Sequence, residues 1–200
     1  MKKTLITILC TVLVCSCVMG VTLAFLMDKT DPITNTFTVG KVDIELNETA
    51  GTLVDGSRTF KMIPGSTLAK DPVVTVKAGS EKCYLFVTVA KSTDFDKYIE
   101  SAMVNTWKAV PNTTNVYYIE VANSNVDQPF PILSGSEKNP NGEVTVVSTL
   151  TSADMNYLNA NNPTITFTAY AVQQDNLTVQ EAWTQAQDSA NYSATVTPTT

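Results

Sequence analysis

Apolar positions along this chain follow two regimes. From Leu5 to Ala24 they form one nearly unbroken run, preceded by Lys2 and Lys3. Beyond it they come in short bursts of Thr, Val, Ile, Tyr and Phe, separated by Gly, Pro, Asn, Asp and Ser. That composition and spacing predict strands. Val42, Ile44 and Leu46 alternate with Lys41, Asp43 and Glu45, the period of a half-buried strand. Gly40 breaks the phase set by Phe37 and Val39, which predicts a bulge. The run Cys83–Ala90 is apolar on both faces and is expected at the centre of a sheet covered on both sides. Val116–Val121 and Glu143–Ser148 follow, and Thr164–Val172 turns Ile165, Phe167, Ala169 and Ala171 to one face. Weaker strands are expected at Arg58–Met62, Val73–Lys77 and Phe130–Leu133.

Turn chemistry separates the bursts. Ile63-Pro64-Gly65-Ser66 places Pro and Gly for a type II turn, and Asn139–Gly142 is a second breaker cluster. Helical signal is thin. Short helices are expected at Asp96–Met103, at Ser152–Leu158 with Ser152 as cap, and at Thr178–Gln187. The last has Thr178 at the N-cap, Glu181 three residues on, and Ala182, Trp183 and Ala186 free to pack. Seven to nine strands with one to three short helices predict an all-β chain. The architecture expected is a two-sheet antiparallel β-sandwich, jelly-roll-like.

The N-terminal run has the plan of a secretory signal peptide: a positive start, an apolar centre and a small residue at its end. Ala24 at −1 and Thr22 at −3 place cleavage between Ala24 and Phe25, with Val18 and Gly20 as a second option. Uncleaved, a run of this length could span a bilayer; cleavage leaves no stable membrane anchor. The organisation read from the sequence is therefore a signal peptide at 1–24, an extended arm at 25–34, a β-sandwich domain at 35–188 and a polar flexible tail at 189–200.

Charge and cysteine usage narrow the function. The chain has 13 basic and 19 acidic residues, a net charge of −6. Loss of Lys2 and Lys3 with the leader leaves 11 against 19, or −8. That sign argues against nucleic acid as a partner and against a basic membrane patch. Cys10, Cys15 and Cys17 lie in the leader, so Cys83 stands alone after cleavage and is expected as a buried core thiol.

The chain has no histidine. This removes His-based acid–base catalysis, the Ser-His-Asp triad and the His-Glu-x-x-His zinc site, and one mature cysteine cannot build a thiolate zinc site. Asp94 with Asp96, and Glu181 with Asp188, are the carboxylate pairs that remain, and exposed carboxylates are their ordinary explanation. Asn123–Asp127 sets oxygen ligands at alternate positions but lacks the Gly and distal Glu of a calcium loop. Tyr84, Phe86, Trp107, Tyr117, Tyr118, Phe167 and Tyr170 fall mostly in strands and read as core, with a carbohydrate-stacking platform as the alternative. No catalytic residue, metal ligand or cofactor is expected, and the chain reads as not an enzyme.

Four stretches carry a resemblance. Thr22-Leu-Ala24-Phe25 ends the leader, and Asn35-Thr-Phe-Thr-Val-Gly-Lys-Val-Asp-Ile-Glu-Leu46 opens the domain. Phe60-Lys-Met-Ile-Pro-Gly-Ser-Thr-Leu-Ala-Lys-Asp-Pro72 follows, and Ala169-Tyr-Ala-Val-Gln173 with Glu181-Ala-Trp183 lies near the end. Together they resemble the TasA/camelysin family of Gram-positive exported proteins. The resemblance implies a SipW-type signal peptidase as a partner during export and a jelly-roll-like sandwich. It also implies a secreted product at the cell surface or in extracellular matrix, with fibre formation in biofilm for some members. A surface metallopeptidase activity is described for others, but this chain lacks the histidine and the zinc-ligand cluster it would need.

Fibre growth has a physical logic of its own. An open sheet edge is a template for another strand, and a head-to-tail contact that does not close makes filaments. Residues Phe25–Phe37 form the candidate donor arm, with Phe25, Leu26, Met27, Ile33 and Phe37 as apolar anchors. The leading expectation is a self-assembling fibre protein whose partner is another copy of itself, with a related anchoring or assembly protein as a further candidate. The alternative is a monomeric adhesion module that binds a glycan or a protein; a camelysin-type peptidase comes third.

Overall fold

The computed structural model describes Lys3, residues 41–54 and residues 57–190. The chain divides into two units, Met1–Thr38 and Val39–Thr200, and the elements below belong to the second. The expected bulge at Gly40, with Phe37 and Val39, lies outside the described residues.

Twelve strands and three short helices make up the described part. They are β1 (Ile44–Asn47), β2 (Thr52–Val54), β3 (Ser57–Thr59), β4 (Thr67–Ala69), β5 (Val73–Val76), β6 (Cys83–Lys91), α1 (Phe95–Tyr98), β7 (Ile99–Ser101), β8 (Lys108–Ala109), β9 (Val116–Val121), β10 (Gln128–Pro131), β11 (Glu143–Val146), α2 (Ser152–Ala160), β12 (Ile165–Gln173) and α3 (Val179–Ala190). All pairings are antiparallel. The sheets run β12-β6-β9-β8, β1-β5-β10 and β4-β11-β7, with β2-β3 as a separate hairpin. The fold is all-β and sandwich-like, as the sequence predicts. The strand count exceeds seven to nine because short segments such as Thr67–Ala69 and Lys108–Ala109 pair without a periodic apolar signal.

The long strand β6 organises the core. Its inner residues Cys83, Leu85, Val87 and Val89 pack with Val74 and Val76 of β5, and Ile44, Leu46, Ile165, Phe167, Ala169 and Ala171 complete this layer. Its outer residues Tyr84 and Phe86 are roofed by Ala182, Trp183 and Ala186 of α3. Both faces of β6 are thus covered, as its unbroken apolar run requires. Full burial of one such side chain contributes about 1.5–3 kcal/mol, so β6 and its two layers dominate stability. A third cluster joins Ile99 and Val144 of the β4-β11-β7 sheet to Phe95, Tyr98 and Leu158.

The two small sheets follow one another. Strand β4 leads through Lys70–Pro72 into β5, and Ile132 N–H donates to Pro72 O at 2.9 Å beyond the end of β10. The turn at Ile63–Ser66 forms as predicted: Gly65 has φ +76° and Ser66 N–H donates to Ile63 O at 2.9 Å.

Two helix expectations are corrected. The helix expected over Asp96–Met103 covers only Phe95–Tyr98, because the next residues pair with β11, placing Ile99 opposite Val146, and bury Ile99 in the cluster of Phe95, Tyr98, Val144 and Leu158. Helix α2 is capped by Thr151, not Ser152. An acidic residue stands three positions after Thr151, and the capping box closes with Thr151 N–H donating to Asp154 at 2.9 Å. From Ser152 the third residue is Met155, which cannot close one. Helix α3 starts as expected: Thr178 N–H donates to Glu181 Oε2 at 2.8 Å and Glu181 N–H to Thr178 Oγ1 at 3.3 Å. Strand limits also move. The strand expected at Arg58–Met62 is Ser57–Thr59, and that at Phe130–Leu133 is Gln128–Pro131.

Candidate functional site: an open edge and its groove

Strand β12 is the outer member of the largest sheet. Its nine residues pair with β6 on one side, and among the described residues no strand pairs with it on the other. A long unpaired edge is a surface that proteins ordinarily shield. Inner-face residues Ile165 and Phe167 are only partly buried.

These two side chains open into a groove of about 770 Å³. One wall is the end of β1, Leu46 to Glu48; another is the start of β12 with Asn162–Thr164 before it. Met62, Leu68 and Phe95 supply apolar floor. The β2-β3 hairpin forms a rim. Leu53 and Arg58 stand directly opposite each other across that hairpin, so they share one face, and both line the groove. Leu53 is 48% exposed, a large apolar side chain at the surface.

Charge is sparse here and specific. Among the described residues the lining holds three charged side chains: Lys70, Glu48 and Arg58. Lys70 is 6% exposed, and its ammonium lies 2.7 Å from Glu48 Oε1. It also stands 4.9 Å from the ring centre of Phe60 and 5.7 Å from that of Phe167, within the range of cation–π attraction. The Lys70 backbone is held too, its N–H donating to Gly142 O at 3.0 Å. Gly142 cannot carry a side chain there: φ is +133° and a Cβ would lie 2.3 Å from Lys70 O. Arg58 binds backbone, donating to Glu48 O at 2.7 Å and Gly51 O at 3.5 Å, and it faces no carboxylate among the described residues. The described lining therefore carries a net charge of +1 on a chain of net charge −6.

Asp71 fixes the foot of the hairpin. Its carboxylate accepts from Thr49 N–H at 3.0 Å, Thr49 Oγ1 at 2.5 Å and Ala50 N–H at 2.7 Å. Burial pushes this carboxyl up, but the hydrogen bonds from Thr49 and Ala50 together outweigh it and hold it below the usual carboxylate range.

The carboxylate pairs weighed from the sequence do not converge. Asp94 accepts from Tyr157 Oη at 2.8 Å while Asp96 takes Lys91 at 2.7 Å. Glu181 is committed to capping α3, and Asp188 lies exposed two turns further along it. In the Asn123–Asp127 turn, Asp127 accepts from Ala78 N–H at 2.9 Å and Val126 N–H donates to Ser124 Oγ at 3.1 Å; it is an inter-strand connection. Among the described residues no three of His, Cys, Asp and Glu gather to hold a metal ion. Cys83 is fully buried, as expected, and burial pushes its thiol up to about 11. The strand aromatics pack as core: Phe86 and Trp183 rings lie 5.4 Å apart, Tyr170 and Trp183 5.7 Å. A smaller cavity of about 260 Å³ opens beside Val89, Met103 and Tyr117.

The cleavage pair Ala24 and Phe25, and the arm residues Leu26, Met27, Ile33 and Phe37, lie outside the described residues. Among the described residues no helix is long and apolar enough to cross a membrane. The sequence missed Lys70, Glu48 and Arg58 as a group. They stand 10 to 22 positions apart in pairs, and only the fold brings them together.

Comparison with models of known protein families, with curated proteins and with solved structures gives no match.

Proposed function

We propose that this chain is an exported, non-enzymatic protein of the cell surface or extracellular matrix that assembles with copies of itself. In this reading the arm that precedes Lys41 in one copy adds as a strand to the free edge of β12 in the next and fills the groove beside it. The observation that carries the reading is the coincidence of two vacancies. A nine-residue strand lacks a strand partner on one side among the described residues, and a groove of about 770 Å³ opens at its first three residues, Ile165–Phe167, beside the end of β1. Backbone pairing alone contributes about 0.5–1.5 kcal/mol per hydrogen bond. Apolar anchors such as Ile33 and Phe37 in the groove would add about 1.5–3 kcal/mol each.

Reach supports the arm as donor. Residues 25–40 in extended form span about 50 Å, more than the length of β12. The leader and the stretches resembling the TasA/camelysin family favour the same class. Electron microscopy of protein beginning at Phe25, against protein lacking residues 25–34, tests the reading. Filaments from the first and only dispersed particles from the second are expected. Equal filament yield from both, or none from either, contradicts it.

A further inference from the structure

Strand addition through the backbone does not by itself choose a register, and the charges in the groove supply what would. Arg58 stands on the rim with its guanidinium bound only to carbonyls among the described residues, opposite the exposed Leu53. Glu48, the single carboxylate among the described lining residues, is already taken by Lys70 at 2.7 Å. Among the described residues the site thus offers one cation in excess beside an apolar floor. It fits an extended segment that presents apolar side chains and one carboxylate on the same face. Side chains two apart in a strand share a face. On the arm, the odd positions hold Phe25, Met27, Ile33 and Phe37, the apolar anchors, together with Lys29, Asp31 and Asn35. Asp31 is the one carboxylate of that face; Asp28 falls on the other, with Leu26, Thr30 and Pro32.

Resting on the self-assembly reading, we infer that Arg58 is the specificity-determining residue of the groove. It selects the incoming arm of a second copy by pairing with that copy's Asp31, which sets the register so that Ile33 and Phe37 enter the apolar floor. The neighbouring Lys70–Glu48 pair is self-satisfied and leaves Arg58 as the group that discriminates. A segment slipped by one residue would turn every anchor away from the floor. One slipped by two would move the carboxylate about 7 Å from Arg58.

A charge exchange tests this. Arg58→Glu and Asp31→Arg are made separately in protein beginning at Phe25, and assembly is followed by light scattering and electron microscopy. Placing like charges across a contact is strongly unfavourable, so each variant alone should need about tenfold more protein, or more, to assemble. An equimolar mixture of the two should recover assembly towards the wild-type concentration. In it, every Asp31 arm finds an Arg58 groove and every Arg arm finds a Glu groove, so the variants alternate along the fibre. A variant that failed to fold would not be recovered by mixing, and far-ultraviolet circular dichroism of each checks its fold independently. Single variants that assemble like wild type, or folded variants whose mixture is no better than either alone, overturn the pairing. If protein lacking residues 25–34 still fails to form filaments in that case, the self-assembly reading stands while the Arg58–Asp31 register falls.

Discussion

The Lys70–Glu48 pair makes the groove wall testable without any assembly. Glu48→Ala removes the carboxylate and leaves the Lys70 ammonium against Phe60 and Phe167, in a side chain 8% exposed. Breaking a fully buried ion pair by deleting one partner costs about 3–5 kcal/mol, most of it the unpaired charge. Two features place this pair at the low end. Glu48 keeps 19% of its side chain exposed, and the lysine stem can swing its head towards the groove mouth. A loss of about 3 kcal/mol is therefore expected. With a urea dependence of about 2 kcal/mol per molar for a domain of this size, the midpoint should fall by about 1.5 M. Lys70→Met should cost much less, because Glu48 regains water and methionine fills the stem's volume. The double variant Lys70→Met, Glu48→Leu should return to within about 1 kcal/mol of wild type. Urea unfolding at neutral pH, followed by tryptophan fluorescence, measures all three. A Glu48→Ala loss below about 1 kcal/mol would refute the argument, as would a double variant less stable than Glu48→Ala.

Other consequences follow from the same geometry. Trp183→Ala strips the roof from Phe86 and Tyr170 and should cost about 3–5 kcal/mol, read as a large drop in melting temperature; a drop of only a degree or two would mean α3 is not needed to cover β6. Asp71→Ala removes three hydrogen bonds to a charged group and should cost about 1–3 kcal/mol. It should speed amide exchange across Thr52–Thr59 while β6 stays protected, and uniform acceleration would contradict the anchoring role. Because the Asp71 carboxyl is held below its unfolded value of 3.8, its stabilisation is present above that pH and fades as acid titrates the folded form; wild type should lose more stability than Asp71→Ala on going from pH 5 to pH 2. For Cys83 the sign reverses. The folded thiol stays protonated to about 11 against 9.0 unfolded, so stability is intact below pH 9 and declines by about 3 kcal/mol as pH rises through that window. Cys83→Ser should flatten this decline, and native protein at pH 8 should resist thiol reagents that label it in urea.

Periodicity reads well where side chains alone decide the outcome. The inner face of β12 and the two-sided burial of β6 follow from spacing, and Thr178 with Glu181 announces the start of α3. Boundaries set by pairing partners do not. Ile99–Ser101 joins a strand because β11 lies beside it, and nothing local to Asp96–Met103 says so. The groove is the extreme case. Lys70 looks like a surface lysine in Leu68-Ala69-Lys70-Asp71 until β1 brings Glu48 to it across 22 positions. Arg58 reads as one polar residue in a weak strand, and that it meets only carbonyls among the described residues is a property of the assembled wall. The sequence thus offers the anchors of the proposed donor, and the fold offers the charge of the proposed acceptor.

Hydrogen exchange along β12, compared between dispersed and assembled protein beginning at Phe25, tests self-assembly through this edge most directly. Assembly should bring slow exchange to the outward amides of Ile165–Gln173 and protection to the Thr52–Thr59 rim, with little change in β9. Filaments whose β12 amides exchange as fast as in the dispersed protein would contradict the account and place the contact elsewhere on the molecule.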